Sequence, residues 1–311
     1  MTTAYYNPPA CRAHTMGSGH PESPARLDAI ADQLQANGLA AVLSMEEASE
    51  ATREQLERAH DADYVRELLR IMAETRQSGK SVALDPDTVC SPATGQAALL
   101  AAGAAVAATD AVIGGRVSNA FCAVRPPGHH ATRNQAMGFS FFNNVAIGAL
   151  HALEQHGLER VAIVDFDVHH GNGTEDIIAG DARVLMVSTF QHPLYPGSGI
   201  TPKGPNMANV PLAPHSGGAE VRAAIEQQWI PRLEAFRPQM LFISAGFDAH
   251  RDDPLAQMNL VEADYAWITE RMKHVADAHA RGRIVSCLEG GYALNALAHS
   301  VSAHVKVLAG V

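Results

Sequence analysis

The sequence predicts an α/β protein in which helices cover both faces of a mostly parallel β-sheet. Short runs that are apolar throughout alternate along the chain with longer amphipathic segments. Such runs are typical of parallel strands that are buried on both faces. No low-complexity linker and no repeat of fixed period separates them. We therefore predict a single three-layer domain over residues 1–311.

The elements follow from these patterns in chain order. The predicted strands are Ala120–Val124, Val161–Val164, Val184–Val187, Met240–Ser244 and Ile284–Leu288. The predicted helices are Ser23–Asn37, Arg53–Arg76, Ala97–Val112, Phe141–His156, Val221–Phe236, Ala263–Ala280 and a last one near Leu294–Leu308. We expect Ser23 to cap the first helix and Gly38 to end it.

Composition excludes several classes of protein. The 311 residues are 47% hydrophobic and 18% charged, which is ordinary for a globular enzyme. The formal net charge of -10 argues against nucleic acid as a partner. The longest apolar run, from Ala97 to Ala108, is interrupted by Gly103 and is too short to cross a membrane. The polar N-terminus does not resemble a signal peptide, and the four cysteines have no CxxC spacing. We expect a cytoplasmic protein with no membrane partner.

Polar, glycine-marked segments follow four of the predicted strands. They are Arg125–His130, Asp165–Gly173, Ala245–Asp248 and Glu289–Tyr292. In an open parallel sheet, ligands bind just beyond the carboxyl ends of the strands. We therefore expect these four segments to line one crevice.

The residues in this crevice are of the types that bind a catalytic metal ion. Asp165, Asp167 and His169 alternate in an extended segment and share one side, and Asp248 from another strand end completes a three-ligand set. Two carboxylates roughly cancel the charge of a divalent ion, so the site needs a separate proton acceptor, which the pair His129 and His130 supplies. Each motif alone is common in loops, turns and helix caps. Their occurrence at successive strand ends favours a site.

Longer motifs then connect the chain to a family. The segments RPPGHHA, DFDVHHGNGT, SAGFDAHRDDPL and LEGGY, with HPESPAR and AHDADYV upstream, resemble the zinc-dependent histone deacetylases of the arginase/deacetylase superfamily. Asn172 and the double proline resemble class II enzymes and bacterial deacetylase-like amidohydrolases. The resemblance covers nearly the whole chain. It implies the arginase/deacetylase fold, an eight-stranded mostly parallel sheet with the active site at the bottom of a narrow tunnel.

The resemblance also implies roles for residues at the reaction centre. The metal ligands would be Asp167, His169 and Asp248, and the catalytic residues His129, His130 and Tyr292. The metal would be Zn²⁺, with Fe²⁺ as the alternative. The two histidines would transfer protons, and the phenol of Tyr292 would polarise the scissile carbonyl.

Three further residues would support the reaction centre. Asp165 would orient His129 and, with Ser188, help bind a structural K⁺ ion. Asn172 stands where class I enzymes have an aspartate beside the second histidine. Because a neutral partner stabilises an imidazolium less than a carboxylate does, we predict that His130 has a lower pKa than His129.

The resemblance places six further residues around substrate and product: Phe139, Tyr195, Leu255 and Gly138 in the tunnel, Asp87 at its rim, and Arg26 near the product acetate. Two aromatic walls would enclose an extended alkyl chain. Asp87 would bind a substrate amide. Leu255 stands where polyamine deacetylases of similar sequence have an acidic residue, and it cannot attract a second ammonium group.

These features predict a zinc-dependent amidohydrolase that deacetylates acetyl-lysine or a related acylated amine. An acetylpolyamine or another small-molecule amide on the same site is the alternative. A two-manganese ureohydrolase is disfavoured because position 250, two residues beyond Asp248, is histidine and not aspartate. A non-catalytic acyl-lysine binder is disfavoured because it has no need of a complete proton-transfer set. Homo-oligomers are left open.

Overall fold

A computed structural model describes residues 2–311 and has a parallel sheet at its centre. The strands are β1 (Thr3–Tyr6), β2 (Leu43–Glu46), β3 (Val82–Ala83), β4 (Val89–Cys90), β5 (Asn119–Cys122), β6 (Val161–Asp165), β7 (Val184–Gln191), β8 (Met207–Leu212), β9 (Leu241–Ala245) and β10 (Ile284–Leu288). Eight of them form one sheet in the order β2-β1-β5-β10-β9-β6-β7-β8, and every neighbouring pair is parallel. β3 and β4 form a separate antiparallel hairpin.

Helices cover both faces of this sheet. They are α1 (Ala25–Ala36), α2 (Arg53–Glu57), α3 (Ala62–Ser78), α4 (Thr94–Ile113), α5 (Asn144–Glu154), α6 (Asn172–Ile178), α7 (Gly218–Ala224), α8 (Ile230–Phe236), α9 (Glu262–His279) and α10 (Leu294–Ala309). In one layer α10 packs between α1 and α9, and in the other α4 packs against α3 and α5. This is the three-layer α/β fold that the sequence predicts.

The predicted strands are confirmed, but three strands of the sheet were missed. β2 and β8 are its two edge strands, and neither is apolar throughout. Pro211 within β8 is tolerated because an edge strand has one side without ladder hydrogen bonds. β1 is fully buried, yet its sequence TAYY lies in a polar N-terminal segment and has no aliphatic run. The sequence predicts only strands with aliphatic runs, and β1 has none.

Two predicted helices differ from the structure for reasons of tertiary packing. The predicted helix Arg53–Arg76 is divided into α2 and α3 because His60 turns into the core. Its Nε2 accepts the Asn143 N–H at 2.9 Å, and its Nδ1 lies 2.8 Å from the Thr132 carbonyl oxygen. The predicted helix Phe141–His156 begins later, at Asn144, because the Asn143 side chain caps it and accepts the Ala146 N–H at 3.0 Å.

Two further details of the helices were wrong. α1 begins after Pro24 with no side-chain cap, so Ser23 does not have the capping role expected of it. The predicted helix Val221–Phe236 contains a π-helical turn, Ile225–Trp229, between α7 and α8. Pro231 lies in the first turn of α8 and donates no backbone hydrogen bond, which is consistent with an irregular turn at this point. Gly38, with a left-handed φ of 77°, ends the first helix as predicted.

Helix α4 is longer than the apolar run Ala97–Ala108 that was judged too short to cross a membrane, and among the described residues it is the one helix long and apolar enough to do so. In the structure, 67% of its most apolar window is buried inside the protein, and it packs against α5. A Cβ at Gly103 would lie 1.8 Å from the Ser49 carbonyl oxygen, so this glycine lets the backbone of residues 49–51 approach the helix. The length and hydropathy of α4 are therefore those of a core helix.

The sheet order positions the polar segments. The four segments singled out in the sequence follow β5, β10, β9 and β6, which are four consecutive strands in the middle of the sheet. Because these strands are parallel, all four segments leave the same edge. The predicted convergence at one crevice is confirmed.

Candidate metal centre and active site

Asp167, His169 and Asp248 meet at the carboxyl ends of β6 and β9. The Nδ1 atom of His169 lies 3.1 Å from Oδ1 of Asp167 and 3.1 Å from Oδ2 of Asp248. The three possible ligand atoms all lie within 4.8 Å of one another, and all three residues are largely buried. This spacing is suitable for three ligands of one ion at bond lengths of about 2.0–2.2 Å.

Backbone contacts hold both carboxylates in place. The Gly290 N–H donates to Oδ2 of Asp167 at 2.8 Å, and the Val168 N–H donates to Oδ1 of Asp248 at 2.9 Å. A Cβ at Gly246 would lie 2.0 Å from the first carboxylate, and one at Gly290 would lie 2.0 Å from the second. The glycines after β9 and β10 therefore leave the space that the two carboxylates occupy.

The electrostatics of the three residues favour a cation between them. Burial, and then the neighbouring charge of Asp167, raise the pKa of Asp248 to about 7. Burial alone would lower the pKa of His169, but its hydrogen bonds to the two carboxylates outweigh this and raise it to about 10. Without a metal, a proton on His169 supplies the positive charge that the carboxylates need. Two carboxylates and one imidazole are a donor set that fits a divalent ion, which would displace that proton.

A second group of metal-capable side chains among residues 2–311 does not fit an ion equally well. It consists of Asp110 on α4 with His151 and His156 in and after α5. Arg58 donates to Nδ1 of His151, and burial lowers the pKa of this histidine. A guanidinium only donates, so the proton of the neutral imidazole is on Nε2, the atom that lies 2.8 Å from Oδ1 of Asp110. That nitrogen is therefore a donor to the carboxylate and not a free ligand.

The two histidines after β5 have different partners. Nδ1 of His129 lies 3.0 Å from Oδ2 of Asp165, whereas Nδ1 of His130 lies 2.7 Å from Oδ1 of Asn172. The ring centroids of the pair are 4.0 Å apart. Nε2 of His129 is 3.8 Å from Oδ2 of Asp167, which places the pair directly beside the candidate ligands.

Their pKa values are shifted in opposite directions. Burial disfavours the charged form of His129, but the carboxylates, chiefly those of Asp167 and Asp165, outweigh burial and raise its pKa well above the ordinary value. Burial, followed by the positive charges on His129 and His169, lowers the pKa of His130 well below the ordinary value. The direction of the difference agrees with the prediction, but its cause is different: the hydrogen bond to Asn172 raises the pKa of His130, and burial and the two neighbouring charges outweigh it.

Glu289 is a buried carboxylate of the site that the sequence analysis missed. Its Oε2 accepts the backbone N–H groups of Gly128 at 2.7 Å and His129 at 3.1 Å, and its Oε1 accepts the Ser244 hydroxyl at 3.2 Å. Burial raises its pKa to about 7. It ties the end of β10 to the loop that bears the histidine pair. The signal in the sequence that could have revealed Glu289 is an acidic residue between a buried strand and two glycines.

A cavity of about 390 Å³ opens onto these residues. His130, His169 and Tyr292 line it, together with all the residues predicted for the tunnel and its rim: Gly138, Phe139, Tyr195, Leu255 and Asp87. His20, Pro21 and Leu194 also line it and were missed as wall residues, although the first two belong to the HPESPAR segment.

The wall around Phe139 has a strained backbone that is fixed by neighbours. Gly138 and Phe139 both have positive φ, 56° and 67°. The Phe139 N–H donates to the Thr88 hydroxyl at 3.0 Å, and its ring makes an edge contact with Tyr292 at 6.0 Å. A Cβ at position 138 would lie 2.5 Å from Cδ2 of His130. Glycine is therefore needed here for its conformation and for the space of the His130 imidazole.

Tyr195 and Asp87 lie towards solvent. The Tyr195 ring is 5.1 Å from that of His130, and the residue is 40% exposed. Asp87 is exposed in the turn between β3 and β4. These positions agree with a wall residue near the mouth and a rim residue.

Arg26 and Ser188 lie away from the cavity lining. Arg26 is fully buried, donates to the carbonyl oxygens of Gly291 and Glu289, and its guanidinium carbon is 5.0 Å from the centre of the Tyr292 ring. It fastens α1 to the segment before the tyrosine, and its role in product release stays a prediction. Ser188 is paired in register with Asp165 on the neighbouring strand. The K⁺ site stays a prediction.

Comparison with known proteins agrees with this geometry. A family model of the histone deacetylase domain matches residues 20–308. The chain belongs to the histone deacetylase family. A histone deacetylase-like amidohydrolase of Pseudomonas aeruginosa is 40% identical over 88% of this chain and 73% of its own length. The human polyamine deacetylase HDAC10 is 36% identical over 93% of this chain and 44% of its own.

A solved structure gives the same result for the fold. The crystal structure of the HDA15 HD domain superposes with a TM-score of 0.91 at 33% identity, over 99% of this chain and 90% of that one. The deacetylase family and the α/β fold predicted from the motifs are thus confirmed, and the chain is a member of a family of hydrolytic deacetylases.

Proposed function

We propose that this deacetylase-family protein uses one divalent metal ion to hydrolyse the amide of acetyl-lysine or a related acylated amine. One observation supports this most strongly. Asp167, His169 and Asp248 form a three-ligand set beside the histidine pair, at a cavity that Tyr292 also lines. Zn²⁺ is the proposed ion, with Fe²⁺ as the alternative. A bound ion would supply Lewis acidity for the acyl carbonyl and for the attacking water.

His130 is the proposed general base. Its Nδ1 faces the side-chain oxygen of Asn172, so the proton of the neutral ring lies on Nδ1 and the lone pair lies on Nε2. Its lowered pKa keeps it neutral, and it lines the cavity where water and substrate meet. His130 thus accepts the proton of the water that attacks the acyl carbon. An imidazole of the pair then returns a proton to the leaving amine.

His129 and Tyr292 would stabilise the negative charge that develops on the substrate. The carboxylate of Asp165, 3.0 Å from Nδ1, favours the positively charged form of His129 and would still do so with Asp167 bound to the ion. Burial, and then the charge of Asp248, raise the pKa of Tyr292 well above the ordinary value, so its phenol keeps its proton. A protonated phenol that lines the cavity is a suitable donor to the tetrahedral oxyanion.

The cavity walls favour an extended, uncharged acyl-amine chain. The rings of Phe139 and Tyr195 supply apolar surface for a methylene chain, and Leu255 adds a third apolar wall residue. The exposed carboxylate of Asp87 at the rim is suited to bind a substrate backbone amide. These residues support acyl-lysine as the substrate class.

Acetylpolyamine is the second candidate, because one relative is named as a polyamine deacetylase. Leu255 counts against it, since an aliphatic side chain does not attract a second ammonium group. We also keep three earlier expectations as proposals: a K⁺ ion near Asp165 and Ser188, a cytoplasmic location, and no nucleic-acid or membrane partner.

One assay tests the proposal. Purified protein is offered a panel of acyl-lysine peptides and acetylpolyamines before chelation, after chelation and after metal is restored. We expect turnover that disappears with the metal, returns with it, and is highest on acyl-lysine. Asp248→Asn should abolish it, whereas Asp110→Asn in the second cluster should leave it unchanged. Turnover that survives chelation would rule out the metal mechanism, and a preference for acetylspermidine would reverse the choice of substrate.

A further inference from the structure

We infer that Asp253 is a positioning residue that holds the catalytic tyrosine and one wall of the substrate cavity in a fixed relation. The inference rests on the proposed function. Asp253 follows the candidate ligand Asp248 by five residues, and its side chain is buried at 6% exposure. One carboxylate oxygen, Oδ2, accepts the Tyr292 N–H at 2.7 Å and the Ala293 N–H at 3.3 Å. The other, Oδ1, accepts the Leu255 N–H at 3.0 Å.

These contacts join two loops that leave different strands. Tyr292 follows β10, and Leu255 lies in the loop after β9. Both side chains line the cavity, one as the proposed oxyanion donor and the other as an apolar wall. A single carboxylate accepts backbone N–H groups from both segments. It therefore fixes the distance between Tyr292, which would contact the acyl group, and Leu255, which would contact the alkyl chain.

The residues before Tyr292 are held by other contacts, since Arg26 donates to the Gly291 carbonyl oxygen and the Gly290 N–H donates to Asp167, and Asp253 adds a contact at the tyrosine itself. Tyr292 is preceded by Gly290 and Gly291, and Gly291 has a positive φ of 119°. Glycines allow this conformation, but they do not restrict the chain to it. On the ring side, Phe139 and the guanidinium of Arg26 contact the phenol. On the backbone side, Asp253 accepts the N–H of the tyrosine itself.

Both carboxylate oxygens of Asp253 are required to accept the N–H groups of the two loops. In Asp253→Asn one oxygen becomes an NH₂ group, which would face either the Leu255 N–H or the Tyr292 and Ala293 N–H groups. Two donors then point at each other, so one of the two loops loses its contact whichever way the amide turns. The side chain keeps its size. The substitution therefore tests the hydrogen bonds with little change in packing.

The neighbouring residue is a matched control. Asp252 has the same side chain, but it is 65% exposed and makes only long ion pairs, at 3.8 Å with His250 and 3.9 Å with Arg251. Exposed pairs of this kind contribute little to stability. Asp252→Asn removes the same charge from the same loop without touching either wall of the cavity.

The experiment compares Asp253→Asn, Asp252→Asn, Tyr292→Phe and the double variant Asp253→Asn/Tyr292→Phe on an acyl-lysine peptide. We expect Asp253→Asn to lower kcat/KM by roughly 10- to 100-fold, through kcat if the NH₂ group faces Tyr292 and through KM if it faces Leu255. Asp252→Asn should match the wild type. The kcat of the double variant should be no lower than that of Tyr292→Phe alone, because the effect of Asp253 on kcat passes through the tyrosine.

Three results would overturn the inference: wild-type kcat and KM in Asp253→Asn, a loss of kcat that multiplies with that of Tyr292→Phe, or a loss explained by lower metal content. Metal content and melting temperature are measured for every variant. If Asp253→Asn does not fold, Asp253→Glu keeps the charge but moves the carboxylate by one methylene, and a loss of kcat/KM of the same size is expected. A wild type inactive on every amide would refute the proposed function instead.

Discussion

Replacing Asn172 by aspartate should change the proton affinity of His130 in a predictable direction. The Asn172 side-chain oxygen lies 2.7 Å from Nδ1 of His130, and the aspartate side chain has nearly the same shape. The substitution therefore puts a negative charge where a neutral acceptor stands. A carboxylate beside an imidazole favours the protonated form, so the pKa of His130 should rise.

The size of the rise follows from the contact. With the charge centres about 4 Å apart and an effective dielectric constant of about 20, the attraction is about 4 kcal/mol. At about 1.4 kcal/mol per pKa unit this corresponds to a rise of up to about 3 units. Desolvation of the new carboxylate will reduce the effect, so we expect the pKa of His130 to rise by about 1 to 3 units.

The assay is the pH profile of kcat/KM, whose acid limb reports the protonation of the general base in the free enzyme. A base with a raised pKa is protonated at higher pH, so the acid limb should move up and activity should recover towards alkaline pH. Asn134→Asp adds the same charge on a nearby exposed loop and should leave the limb in place. An unchanged or lowered acid limb in Asn172→Asp would refute His130 as the neutral base, and so would an NMR titration showing His130 more basic than His129.

Three further predictions concern the same site. Tyr292→Phe should lower kcat by about 100- to 1,000-fold with little change in KM, as expected for the loss of one oxyanion donor; wild-type kcat would exclude that role. Gly138→Ala should lower kcat in protein that is still folded at the assay temperature, because its Cβ would lie 2.5 Å from the His130 ring; an active variant would show that the imidazole can move. Metal affinity should weaken about tenfold per pH unit as the pH falls from about 10 to 7, because the metal must displace the proton of His169, whose metal-free pKa is about 10, and more steeply below about 7, where Asp248 is also protonated. Calorimetric Kd values that do not vary with pH would contradict the last prediction.

The centre of the site could be predicted from the sequence because it depends on local order. Asp167 and His169 alternate directly after a buried strand, and Asp248 follows another. The rule that ligands bind at the carboxyl ends of parallel strands then brings them together without further information. The same rule placed the histidine pair and Tyr292, since their strands are β5 and β10 in the middle of the sheet.

The supporting residues could not be found in this way. Glu289 and Asp253 act by accepting backbone N–H groups of loops that lie far away in the chain. No spacing of residues in the sequence predicts such contacts. The same holds for the break at His60, whose ring accepts a hydrogen bond from a residue 83 positions later. Edge strand β2 was missed because its sequence, LSME, is short and is not apolar throughout.

The number and position of bound metal ions test the central claim most directly. Crystals of the purified protein would be measured on both sides of the absorption edge of the metal it contains. We predict one anomalous peak per chain, at about 2.0–2.2 Å from Nδ1 of His169 and from a carboxylate oxygen each of Asp167 and Asp248. Two peaks in the cavity, or a peak beside Asp110 with none here, would contradict the account.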